Sequence, residues 1–189
     1  MNDLLYVQGQ DNLAGLVDKI YYCPIEDINT LPALTAASSL KTAATAITCK
    51  TGKKFQQIYF TDETAKVETK SIGPRDGKGR ESTLTCRFPK IGKLSDGSLV
   101  ADLISDIQNT PVVIIYKLAS DGQFYLLGVS RLDKSNTTLA IALPCNFESA
   151  DANSGEKRGD QNGVMFTWKF TSLHDPILYA STVPLTPAP

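Results

Sequence analysis

His174 is the single histidine in a chain of 189 residues, and this limits the chemistry the sequence can hold. A serine or cysteine nucleophile needs a base to take its proton, and only His174 could serve conventionally. In Leu173-His174-Asp175-Pro176 it reads as a strand-end residue hydrogen-bonded to Asp175. No Gly-x-Ser-x-Gly elbow is present. Gly73, Gly77 and Gly79 are not followed by the Gly-Lys-Ser/Thr ending that opens a phosphate-binding helix, so they read as a hairpin tip. A glycoside hydrolase needs only two acids at a set separation, and Asp102 and Asp106 fall on one predicted helix. The remaining acids are scattered among balancing bases, so solvated charge is the better reading. The Asp and Asn residues of 146–163 lack the ordered spacing of a calcium loop. Cys23, Cys49, Cys86 and Cys145 are widely spaced, with no Cys-x-x-Cys pair and no histidine cluster to complete a zinc site. They read as buried thiols. The expectation is a protein that is not an enzyme and carries no metal or cofactor.

The apolar and charged fractions are ordinary for a soluble globular protein. A formal net charge of -1 argues against a dedicated nucleic-acid binder, whose surface must neutralise phosphates. The N-terminus lacks a basic region followed by an apolar run, so no signal peptide is expected, and no stretch reaches the length of a membrane span. Synthesis and folding in a cytoplasm are expected.

The elements that must position these residues are mostly strands. Residues 1–18 read as an N-terminal arm. Lys-Ile-Tyr-Tyr-Cys-Pro-Ile, 19–25, predicts a first strand closed by Pro24, which cannot donate to a ladder. Residues 36–40 could form a short helix or 43–49 a strand, the strand near 46–49 being favoured. Residues 95–108 predict the one helix: Leu99, Val100, Leu103, Ile104 and Ile107 make a stripe at helical spacing, with Asp96 or Ser98 as cap. Val-Val-Ile-Ile-Tyr-Lys-Leu, 112–118, is continuously apolar and predicts a strand covered on both faces. Asp121-Gly122 turns it into a return strand at 124–129. Residues 137–143 predict a further strand, 146–163 a polar loop, 164–171 an alternating strand, and 176–180 a short edge strand. Trp168 shares its face with Phe166 and Phe170 and reads as core rather than a ligand platform. The sum is one mainly β domain over 19–180, an antiparallel β-barrel or sandwich with one packed helix, followed by an extended segment, 181–189.

Residues 56–89 read as a single long hairpin that protrudes from this domain. Ile58 and Phe60 alternate at its base, and Leu84, Cys86 and Phe88 alternate on its return. Between them the ribbon carries Asp62, Glu63, Lys66, Glu68, Lys70, Arg75, Asp76, Lys78, Arg80 and Glu81. A two-stranded ribbon with so little apolar surface is marginal in water. It is either a solvated surface loop or an arm held by another copy, and the ten charged residues are the candidate inter-subunit contacts.

The Lys-Ile-Tyr-Tyr-Cys-Pro-Ile strand, the charged hairpin tipped by Arg75-Asp76-Gly77-Lys78-Gly79, the helix running into Val112-Val113-Ile114-Ile115-Tyr116, the Asp121-Gly122 turn and the closing Phe166-Thr167-Trp168-Lys169-Phe170 strand resemble the phage tail tube proteins, also called major tail proteins. The resemblance covers about residues 15–179. It implies a tail-tube-like barrel fold and rings, typically of six copies. The rings would stack into a virion tail through which DNA passes during ejection. The hairpin and both termini would bridge neighbours. It further implies contacts with other tail proteins, assembly in the host cytoplasm, no membrane partner, and a lumen that DNA crosses without specific binding. The tube of a contractile injection or secretion system, and a monomeric β-barrel or sandwich that binds a ligand, are the alternatives.

Overall fold

A computed structural model describes residues 14–34, 42–75, 77–94, 96–131, 139–141, 143–156 and 162–188. The N-terminal arm up to residue 13, the possible helix at 36–40, Asp76 and part of the strand expected at 137–143 lie outside the described residues. In chain order the strands are β1 (Leu16–Pro24), β2 (Ile28–Thr30), β3 (Thr42–Ala43), β4 (Thr48–Cys49), β5 (Gln56–Ile58), β6 (Lys66–Ile72) and β7 (Gly79–Phe88). After the helix α1 (Val100–Gln108) come β8 (Val112–Leu118), β9 (Phe124–Leu127), β10 (Ser130–Arg131), β11 (Leu139–Ala140), β12 (Asn146–Asn153), β13 (Gly163–Ser172) and β14 (Ile177–Tyr179).

Two open sheets face each other. One has six strands in the order β3-β14-β9-β8-β1-β5, the other four in the order β12-β13-β7-β6. Leu84 and Cys86 of β7 and Phe166, Trp168 and Phe170 of β13 point inward from the smaller sheet. They meet Ile20 and Tyr22 of β1 and Ile114 and Tyr116 of β8 in one apolar cluster. The strict alternation of β7 and β13 follows from having one buried face and one wet face. Central strand β8 is apolar and buried from Val112 to Tyr116 because both its faces are covered there. Val113 and Ile115 turn to a second cluster with Cys49, Phe55 and Tyr179, built by the β2–β4 pair and neighbouring loops.

The barrel expectation is therefore corrected: no sheet among the described residues closes on itself. Closure needs edge strands long enough to pair. The six-stranded sheet ends in β3 and β5, two and three residues long, and the smaller sheet ends in the charged strands β6 and β12. The protruding hairpin is corrected with it. Residues 56–58 pair with β1 in the larger sheet, and the chain then crosses to the smaller one before β6 begins. The hairpin proper is β6–β7, and β7 pairs with β13 from Arg80 to Phe88, so only the turn between Ile72 and Gly79 extends past the paired strands.

Three other segments differ from expectation. The polar loop at 146–163 begins with an eight-residue strand, β12, whose inward residues are the half-buried Phe147 and Ala150. A bulge between Phe147 and Ser149 breaks its alternation, which hides it from a period-two reading. Strand β14 is interior, between β9 and β3. The C-terminal segment is laid against its own chain: the Phe55 amide donates to Pro184 O at 3.0 Å and the Ala188 amide to Lys53 O at 3.0 Å. Helix α1 starts at Val100, after a turn in which the Asp96 carboxylate accepts from the Ser98 amide and hydroxyl rather than capping the helix itself.

Candidate assembly surface

The smaller sheet presents its outward face as rows that run straight across the strands. Lys66 of β6 stands opposite Thr85 of β7, which stands opposite Thr167 of β13; Glu68, Thr83 and Lys169 form the next row, and Lys70, Glu81 and Thr171 the third. Charges on this face neutralise each other locally. Lys66 reaches Glu68 at 2.9 Å, Lys70 approaches the same carboxylate at 3.9 Å, and Lys169 meets Glu148 of β12 at 3.3 Å. Lys66 holds the Glu68 carboxyl below its ordinary range, with Lys70 adding to the effect. These pairs are exposed and contribute little to stability. Their effect is to leave a flat face of threonines and compensated charge.

Among the described residues the sheet ends in two strands that each have a sheet neighbour on one side only, β6 and β12. Three antiparallel steps separate them, so they run in opposite senses. Strand β6 carries Lys66 and Lys70 against Glu68, whereas β12 carries Glu148 and Asp151 with no base. The two edges are thus similar in length, opposite in direction and opposite in charge balance.

The ten charged residues expected as contacts divide among several places. Lys66, Glu68 and Lys70 share the outward face of β6, and Glu81 lies beside them on β7. Arg75 and Lys78 are exposed at the tip, and Asp76 lies outside the described residues. Asp62 and Glu63 form the turn before β6, where Glu63 has a φ of 63°. Arg80 faces its own chain: its Nε donates to Asp175 Oδ1 at 2.9 Å, one Nη to Asp175 Oδ2 at 3.2 Å and the other to Ser71 at 2.8 Å. Asp175 and Glu148 were not among the sequence candidates. Strand assignment of 146–153 would have exposed Glu148, whereas the Arg80–Asp175 pair is a tertiary contact between distant segments.

Groups considered for chemistry have structural surroundings. The Arg131 amide donates to His174 Nε2 at 3.1 Å, so Nδ1 carries the proton and donates to Asp175 O at 2.7 Å. Burial, and then the charge of Arg131, lower the pKa of His174 below its ordinary value. The ring is a neutral bridge between two backbone groups. All four cysteines are free and buried, and burial pushes the Cys86 thiol up to about 12. Thiols so protonated are poor nucleophiles. Trp168 is 1% exposed and packs edge-on to Phe147 at 5.7 Å and beside Phe166 at 5.6 Å, so it lines no concave aromatic site. Among the described residues no group of three His, Cys, Asp or Glu side chains could hold a metal, and no helix is long and apolar enough to cross a membrane. No protein-family model, curated protein or solved structure matches the chain.

Proposed function

We propose that this chain is a structural subunit of a phage-type tail tube, in which copies join edge to edge into rings and the rings stack into a channel for DNA. The observation that carries the reading is the pair of edges on the four-stranded sheet. Because β6 and β12 run in opposite senses, a copy related by rotation sets β12 beside β6 of its neighbour with antiparallel alternation preserved. A heterologous contact of this kind makes a ring when the rotation closes. It also satisfies backbone groups that an unpaired edge leaves exposed. The lysines of β6 then approach the acids of β12, which favours this pairing over β6 on β6 or β12 on β12. The number of copies, six, comes from the resemblance alone.

In such a ring the larger sheet and the segments covering it form the thicker layer, which belongs on the outside. The outward face of the smaller sheet then lines the channel. On it Lys66, Lys70, Arg87 and Lys169 are balanced by Glu68, Glu81, Glu148 and Asp151. A wall without net positive charge gains little from releasing phosphate counterions, so DNA slides past it without being held.

Charge reversal at the edges tests the ring contact. Lys66→Glu with Lys70→Glu should leave the circular-dichroism spectrum and the unfolding midpoint nearly unchanged and abolish ring formation. Mixing that variant with a Glu148→Lys/Asp151→Lys variant should recover mixed assemblies, seen by sedimentation. Full assembly of either variant alone would count against pairing through these edges.

A further inference from the structure

Helix α1 and strand β5 leave between them a groove of about 310 Å³, whose lining includes Phe88, the last residue of β7. Its lining includes Asp96, Asp102 and Asp106 and no basic residue. Asp102 and Asp106 are exposed and have no ion-pair partner among the described residues. Tyr22 also lines the groove. Its side chain is 8% exposed, and no hydrogen bond of its hydroxyl is found within the described residues. Burial, with the nearby Asp106 charge second, raises its pKa, so the phenol is a neutral hydrogen-bonding group. With the exposed Asp102 and Asp106 carboxylates it lines the groove with oxygen acceptors suited to a cationic side chain.

The cation that fits is displayed at the other end of the same strand. Strand β7 starts at the hairpin tip and finishes in the groove. Ten residues at about 3.3 Å each place the two some 30 Å apart. Arg75 and Lys78 are exposed at the tip, with no ion-pair partner among the described residues. Apolar surface accompanies the charge at both ends. Tyr59 and Leu99 are 59% and 45% exposed near the groove, and Leu173 and Leu143 are 66% and 50% exposed beside the tip. Exposed apolar patches rimmed by charge mark interaction surfaces.

We propose that the groove between α1 and β5 receives the Arg75/Lys78 tip of a second copy, head to tail along the direction of β7. The alkyl stem lies on Leu99 and Leu103, and the cationic head sits among Asp102, Asp106 and the Tyr22 hydroxyl. This rests on the self-assembly reading and supplies its axial contact, which is distinct from the edge pairing within a ring. Complementary surfaces on opposite ends of one molecule generate an open stack rather than a closed dimer.

The test is a charge swap read by sedimentation velocity and negative-stain microscopy. Asp102→Lys/Asp106→Lys and Arg75→Glu/Lys78→Glu should each raise the concentration needed for stacking by about tenfold or more, while single rings persist; one lost charge pair is enough for that change. Combining all four substitutions should restore stacking to within about threefold of the original protein. Stacking unchanged in either double variant, or no recovery in the combined one, overturns the socket while leaving the ring reading intact. If the unaltered protein never assembles, the ring reading fails and the socket is tested alone with a cyclic peptide of residues 72–79. Saturable binding that Tyr22→Phe weakens and Asp102→Lys/Asp106→Lys removes supports the socket, and no binding at about 1 mM, the limit of a weak contact, overturns it.

Discussion

His174 and Gly128 show how single residues are committed to holding the fold. The His174 ring accepts from the Arg131 amide and donates to Asp175 O, which requires the neutral tautomer. Its pKa in the folded chain lies below the unfolded value, so the unfolded state binds the proton more readily. The stabilising contribution is therefore present above about 6.5, the ordinary histidine value, and is lost as pH falls below it toward the lowered folded pKa. A proton NMR titration of the one histidine ring should give a midpoint below 6.5, and a midpoint above it would contradict this arrangement. Gly128 has a φ of 92°, and an added Cβ would meet Val112 O at 2.6 Å. Gly128→Ala should cost about 2 kcal/mol or more in urea unfolding. Gly122, with a φ of 66° and open space around it, is the control: Gly122→Ala should cost about 1 kcal/mol, from the backbone conformation alone. Neither commitment could be foreseen in full from the chain. Gly122 stands in a recognisable Asp-Gly turn, while Gly128 owes its constraint to the backbone of the start of β8, which only the pairing register brings against it.

At the scale of elements, legibility followed how much of a strand's environment is encoded in its own side chains. Strand β13 alternates cleanly because one face is core and the other water, and β8 is apolar from Val112 to Tyr116 because both faces are covered there. Both could be read directly. Trp168→Ala should therefore cost about 3–5 kcal/mol, the range for an aromatic removed from a packed core, whereas Thr167→Ala on the outward face should stay within about 0.5 kcal/mol. Equal effects in chemical denaturation would contradict the assigned faces. Strand β12 was missed because a bulge interrupts a sparse pattern carried by Phe147 and Ala150. The extent of the hairpin was misjudged for another reason. The apolar periodicity of 56–60 and of 84–88 is the same whether the two segments pair with each other or with different sheets, and pairing partners are a tertiary matter. The groove was invisible for the same reason: Tyr22, Phe88 and Asp106 come from three elements that only the fold brings together.

At the scale of the whole molecule, two sheets make a stable core while leaving two kinds of surface unfinished. In the proposed assembly the edges β6 and β12 would provide lateral contacts, and the tip and groove at the two ends of β7 axial ones. In that assembly the balanced face between those edges would form a neutral channel wall. Glu68→Lys with Glu81→Lys should convert it into a basic wall, and the assembled variant should retain double-stranded DNA at low salt where the original does not, with retention falling as salt is raised. The most direct test of self-assembly is negative-stain microscopy of the purified protein across a concentration series. Rings that give way to stacks with an axial channel as concentration rises are the predicted result. Small monodisperse particles at every concentration would contradict the account and favour a monomeric binding module.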